Sequence, residues 1–208
     1  MSGRPEFLFW AFAAFLLLFF PYQTDAGVPT DKIRETVDKT IAILRNPRLK
    51  PQDKTKERRQ LLRQAIYPRF DFAEMAKRSL GANWRRRTPQ EQREFVAIFT
   101  DLLENSYVTS IESYSGEKYT YTKESVSKEY AEVDSKFNNK QGEEISIIYK
   151  LYLVNGDWKV YDVVVENISL VNNYRSQFNR VIANSSYEEL VRRLKQKQTE
   201  LARGARLE

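Results

Sequence analysis

Apolar positions recur at helical spacing early in the chain. Ile33, Val37, Ile41 and Leu44 lie on one side of a helix that Pro29-Thr30 can start and Asn46-Pro47 can stop. Pro51 opens a second helical stretch with Leu61, Leu62, Ala65 and Ile66 on its apolar side, ended by Pro68. Asp71 and Glu74 have the spacing of a capping box before a short helix, Phe72 to Leu80, which Gly81 can terminate. Thr88-Pro89-Gln90-Glu91 is a stronger start, combining a cap, a proline in the first turn and an acid at the third position. It leads into the longest amphipathic helix, whose wide stripe includes Phe95, Ile98, Phe99, Leu102, Leu103, Tyr107 and Ile111.

The period then changes to two. Lys118–Lys123 and Tyr130–Phe137 alternate as strands do, and Glu144–Val154 and Asp157–Ile168 are richer in β-branched and aromatic residues. Asn155-Gly156 joins the last two, and such a pair supplies the two positive φ angles of a tight hairpin turn. Asn138 to Gly142 is a looser hairpin connection. Four strands joined in this way predict an antiparallel meander. Helical periodicity returns after Ser169, with Leu170, Tyr174, Phe178 and Val181 on one side, and Ser186-Tyr187-Glu188-Glu189 caps a last, very basic helix. The expected fold is α+β: a twisted antiparallel sheet of about four strands with helices on one face. A long helix across the mouth of such a sheet encloses a cone, which side chains fill or which stays open as an apolar cavity. Periodicity alone leaves both readings open.

The first residues lie apart from this pattern. Phe7 to Phe20 is an unbroken apolar run of 14 residues after Arg4, followed by Thr24-Asp25-Ala26. Basic start, apolar middle and small-residue end are the layout of a secretory leader. As a helix the run reaches about 21 Å, short of a hydrocarbon core of about 30 Å, so a retained membrane anchor is the weaker reading. We therefore expect a leader over residues 1–26 and one domain over residues 27–208 of this 208-residue chain. Removing the leader takes away Arg4, Glu6 and Asp25, which moves the net charge from +6 to +7.

Composition narrows the chemistry. There is no His and no Cys, which excludes imidazole bases, His and Cys metal ligands, thiolate nucleophiles and disulfides. The seven Gly are scattered and form no phosphate-cradling loop. No metal or cofactor is expected. Glu143-Glu144 and Glu188-Glu189 are adjacent in sequence, so in a strand or helix each pair points apart. Asp162, in mid-strand, leaves one enzymatic alternative, a cone-fold enzyme using a buried carboxylate as general base. The basic clusters Arg58-Arg59, Arg85-Arg86-Arg87 and Arg192-Arg193 read first as solvated faces and second as attraction to anionic membranes or acidic partners. Nucleic acid is not an expected partner, because an export signal is present and no binding motif is.

Two blocks carry a resemblance. Phe70-Asp71-Phe72-Ala73-Glu74-Met75-Ala76 runs on to Leu80-Gly81-Ala82-Asn83-Trp84 and then to Thr88-Pro89-Gln90-Glu91-Gln92-Arg93 and Phe95. The second block holds Asp157-Trp158-Lys159-Val160-Tyr161-Asp162-Val163, Ser169-Leu170-Val171 and Asn173-Tyr174-Arg175-Ser176-Gln177-Phe178. Together they resemble the MlaC family, also called toluene-tolerance auxiliary proteins of a lipid ABC transporter, from about Ile33 to Leu194. The resemblance implies a cone related to nuclear-transport-factor-like domains, and a periplasmic carrier that holds a phospholipid tails inward. It implies as partners an inner-membrane ABC transporter, through its MCE-type substrate-binding subunit, and an outer-membrane lipoprotein complex. The expected role is to maintain outer-membrane lipid asymmetry. The long helix and the last strands then suggest Phe99, Leu103, Tyr107, Ile147, Tyr149, Leu151, Val163, Val165, Tyr174 and Phe178 as the lipid-binding lining. Arg175 is a separate candidate, for a lipid phosphate or for an ion pair with a nearby acid.

Overall fold

The computed structural model describes residues 28–204 apart from Ser115, Glu117, Asn139 and Lys140, with side chains up to residue 200. The leader expected over residues 1–26 lies outside the described residues.

Among the described residues, six α-helices and five strands follow in the order α1 (Pro29–Arg45), α2 (Thr55–Ile66), α3 (Phe72–Leu80), α4 (Pro89–Glu112), β1 (Tyr119–Ser127), β2 (Tyr130–Asn138), β3 (Glu144–Val154), β4 (Asp157–Val165), β5 (Ile168–Ser169), α5 (Leu170–Asn184) and α6 (Tyr187–Gly204). The start signals act as their chemistry requires. Thr88 and Glu91 form a complete capping box at α4, and the Asp71 carboxylate accepts the Glu74 amide at α3. The second helix begins later than Pro51 suggested, because residues Gln52–Lys54 first take a tighter 3₁₀ turn.

The sheet is an open antiparallel meander, β1-β2-β3-β4-β5. Asn155 and Gly156 both have positive φ, 51° and 76°, as the hairpin signal demands. The predicted fourth strand divides at its end. Glu166 and Asn167 also turn with positive φ, so Ile168 and Ser169 fold back to pair with Val165 and Val164 as a short fifth strand. A bulge at Tyr161 sets the rest of the register: Lys150 pairs with Asp162, and Leu151 with Val160. The extra residue keeps Val163 and Val165 on the same face as Val160 and Trp158, the face that also carries Ile147, Tyr149 and Leu151.

Two cores form. One is helical, where Phe95 and Phe99 of α4 meet Phe178 of α5 and Met75, Leu80 and Leu190 of the neighbouring helices. The other lies between α1 and the sheet, where Ile33 packs on Ala131, Val133, Leu151, Trp158 and Val160. Glu124 of β1 accepts both the backbone N–H and the hydroxyl of Thr30, satisfying donors at the start of α1 from outside the helix. Between these cores the C-terminal half of α4 faces the sheet without filling the space between them.

Candidate functional site

That space is divided into two neighbouring apolar chambers. The larger, about 640 Å³, runs beneath α1, where Val37, Ile41 and Leu44 face Tyr119, Phe137 and Ile147 of the sheet. The smaller, about 260 Å³, lies under α2 and α3 and is bounded by Leu62, Met75, Leu103, Val108, Val163 and Val165. Ile66, Phe70, Tyr107, Ile111, Ile147 and Tyr149 border both, so the chambers share one wall.

The walls are carbon, and the hydroxyl groups among them are largely occupied. On α1, Thr36 and Thr40 donate to the carbonyls of Lys32 and Thr36. On the sheet, the Tyr149 and Tyr119 hydroxyls lie 2.8 Å apart, Tyr119 reaches Ser135 at 2.7 Å, and Ser135 donates to the Ile147 carbonyl at 3.0 Å. Burial pushes the Tyr149 hydroxyl well above its ordinary pKa, and that of Tyr107 up to about 12, so both stay neutral at any physiological pH. A ligand of the larger chamber meets an uncharged, largely apolar lining.

Charge enters in the smaller chamber, whose lining includes Arg59, Arg63 and Glu104, members of ion pairs that tie α2 to α4. Glu112 binds Arg58 at 2.7 Å and Arg59 at 3.0 Å. Glu104 accepts from Arg63 at 2.7 Å and from the Tyr67 hydroxyl at 2.6 Å. Burial raises the Glu104 pKa, but the Arg63 and Tyr67 hydrogen bonds and the nearby guanidinium charges outweigh it and leave the carboxyl below its usual range.

Of the ten residues suggested by the sequence, Leu103, Tyr107, Ile147, Tyr149, Val163 and Val165 are brought together on the chamber walls. The other four stand elsewhere. Phe99 and Phe178 are buried in the helical core, their rings edge-to-face at 5.9 Å, and Tyr174 packs edge-to-face on Phe99 at 5.3 Å. Leu151 is fully enclosed in the core beneath α1. Helical and strand periodicity identifies which side is apolar, but not whether a neighbouring side chain already fills the space opposite. The same limit hid the α1 wall. Val37, Ile41 and Leu44 read as an ordinary packing stripe, and the one signal for their role was that the stripe continues along the whole helix.

Asp162 is held in a structural position. Its carboxylate accepts from the Ser169 hydroxyl at 2.5 Å and from the Val171 amide at 3.0 Å, fastening the start of α5 to the sheet from the face opposite the chambers. Each oxygen thus has a partner within the protein, which accounts for a buried carboxylate at this position. Among the described residues no group of His, Cys, Asp and Glu could hold a metal ion, and no helix is long and apolar enough to cross a membrane.

The family model described as MlaC protein matches residues 34–196. A curated relative from Haemophilus influenzae, the intermembrane phospholipid transport system binding protein MlaC, is 19% identical over 170 residues, covering 79% of each chain. Among solved structures, a phospholipid-binding protein from Ralstonia solanacearum, determined in complex with a phospholipid, superposes with a TM-score of 0.75 at 26% identity. That match covers 85% of the present chain and 99% of the other.

Proposed function

Given that the chain belongs to the MlaC family, we propose that it is a periplasmic carrier that encloses the acyl chains of a phospholipid in the two chambers. The observation that carries this reading is the unfilled apolar space between α4 and the sheet, whose two compartments share a wall that includes Tyr107, Ile147 and Tyr149. The relatives from Haemophilus and Ralstonia, one named for phospholipid transport and one crystallised with a phospholipid, support it.

The physical need for such a carrier is large. A two-chain phospholipid has about 30 methylenes, and at about 0.8 kcal/mol each their exposure to water costs more than about 20 kcal/mol. Free passage through an aqueous compartment is negligible at that cost, whereas a protein that covers the chains can leave the head group in water. In this reading the leader over residues 1–26 directs export and is removed after Ala26. The lining that contacts the chains is Leu103, Tyr107, Ile147, Tyr149, Val163 and Val165, joined by Val37, Ile41, Leu44, Ile66 and Phe70. The lipid passes between the MCE-type subunit of an inner-membrane ABC transporter and an outer-membrane lipoprotein complex, which maintains the asymmetry of the outer membrane. The chain itself performs no chemistry on its cargo.

Native mass spectrometry of gently purified mature protein tests this. The expected result is a protein mass increased by that of a phospholipid, which solvent extraction then recovers. A bare protein mass with no extractable lipid would overturn it.

A further inference from the structure

Most of the basic clusters prominent in the sequence are neutralised within the fold. Arg58 and Arg59 share Glu112, and Arg192 and Arg193 share Glu189, whose pKa their hydrogen bonds lower to about 2. Lys195 meets Glu94. Arg87 lies over the Tyr187 ring at 4.4 Å and pairs with Glu91, which makes it part of the helical packing rather than a free surface charge.

Of the guanidiniums left without an ion pair, two lie together. Arg85, on the 3₁₀ turn after α3, and Arg175, on α5, line one cleft of about 390 Å³, and among the described residues neither forms an ion pair. Lys77 and Arg78 of α3 and Lys150 of β3 border the same cleft. Lys150 alternates with Tyr149 and Leu151 along its strand, so the cleft lies across the sheet from the apolar chambers. Three acids stand around it. Glu74 binds Lys77 and Arg78, Glu132 binds Lys150, and Asp162 accepts from Ser169 and Val171.

The backbone is shaped for Arg175. Gly81 has φ +56°, and a Cβ built there would sit 3.3 Å from the Arg175 Cδ, so the absence of a side chain lets the arginine stem lie against the turn. Trp84 and Tyr161 add flat walls, and the Arg78 guanidinium stacks over Tyr161 at 4.0 Å.

We propose that this cleft binds a phosphate monoester or inorganic phosphate dianion. Each guanidinium offers a fork of N–H donors that matches oxyanion geometry. Around the cleft the five cations Lys77, Arg78, Arg85, Lys150 and Arg175 face the three carboxylates Glu74, Glu132 and Asp162, and the surplus matches a charge of about two, which a phosphate monoester carries at neutral pH, with a second pKa near 6, and a single carboxylate does not. The ligand is a soluble phosphate or the monoester head group of a lipid at a bilayer surface. The site is separate from the proposed cargo chambers, so it stands or falls independently of the lipid-carrier reading.

The mature protein is titrated calorimetrically with inorganic phosphate at low ionic strength. It is also sedimented with vesicles of phosphatidylcholine containing phosphatidic acid, against phosphatidylcholine alone. Binding of either probe should weaken at least tenfold in Arg85→Gln/Arg175→Gln and stay unchanged in Arg192→Gln/Arg193→Gln. Phosphate affinity should also fall as pH is lowered from about 7.5 to about 5.5, where the second proton returns to the phosphate. Phosphate binding points to a soluble ligand, and vesicle binding alone to a lipid head group. Loss in the single variant Arg85→Gln, whose side chain is exposed, guards against a folding artefact. Cargo lipid measured by native mass spectrometry should be the same in every variant. Absence of binding to both probes, an unchanged double variant, or an equal loss in the Arg192/Arg193 control would overturn the proposal.

Discussion

Replacing Val163 by Trp places about seven additional heavy atoms on the wall of the smaller chamber, in space that a bound acyl chain would otherwise occupy. Val163 is half-buried and borders that chamber, so the indole has somewhere to go without displacing packed side chains. At about 0.8 kcal/mol for each methylene displaced, full exclusion weakens lipid retention by up to about 5 kcal/mol. That corresponds to between three and four orders of magnitude in affinity, at about 1.4 kcal/mol per tenfold. The same substitution at Leu151 has a different result. Leu151 is completely enclosed by Ile33, Ala131, Val133, Trp158 and Val160, so an indole there overpacks a filled core at about 1–3 kcal/mol. For a domain of this size the melting temperature should fall by about 2–12 °C. The assay measures lipid per protein by solvent extraction and native mass spectrometry, with thermal melts of the same preparations. Val163→Trp should lose lipid and keep its melting temperature, while Leu151→Trp should melt early. A Val163→Trp protein that retains its lipid but melts early would refute the reasoning, because it would mean that Val163 faces a filled core.

Other consequences follow from the same geometry. Asp162→Asn should cost about 1–3 kcal/mol in chemical denaturation by weakening the tie to Ser169 and Val171, with lipid content unchanged, and undiminished stability would contradict that structural role. Glu104→Gln should cost about 1–2 kcal/mol near neutral pH. Because the folded protein holds this carboxyl below its usual range, its contribution is present above about pH 4 and is lost as pH falls through the folded value. Wild type and variant should therefore converge in acid, and stability curves that run parallel from pH 7 to pH 3 would refute the assignment. Burial raises the tyrosine hydroxyls, Tyr107 and Tyr187 to about 12 and Tyr67, Tyr121 and Tyr152 further. Their contribution to stability is complete below about pH 10 and is lost as pH rises towards 12, so most phenolate absorbance should appear together with alkaline unfolding. Reversible ionisation of every tyrosine near pH 10 in a folded protein would exclude this.

The sequence by itself determined the local elements. A cap, proline and acid at Thr88 to Glu91 fix where α4 begins, because they satisfy donors that the helix cannot satisfy internally. Asn155-Gly156 fixes the β3–β4 hairpin, because few other pairs accept positive φ twice in succession. Alternation along Ile145 to Leu153 identifies an apolar sheet face, since neighbouring side chains on a strand must point to opposite sides. These are short-range constraints, written within a few residues. Whether an apolar face is filled or open depends on distances between segments far apart in the chain, and only the tertiary structure decided it. Tyr149 and Leu151 are two residues apart on one strand face, yet Tyr149 borders both chambers and Leu151 is sealed by α1. Their local patterns are the same, and the difference lies in how far α1 and α4 stand from the sheet. The charges divide in the same way. Arg85 and Arg87 belong to one basic run, but Arg87 is drawn onto Tyr187 and Glu91 while Arg85 lines a cleft together with Arg175, because each pairing is set by where an acid or an aromatic ring arrives in the folded chain.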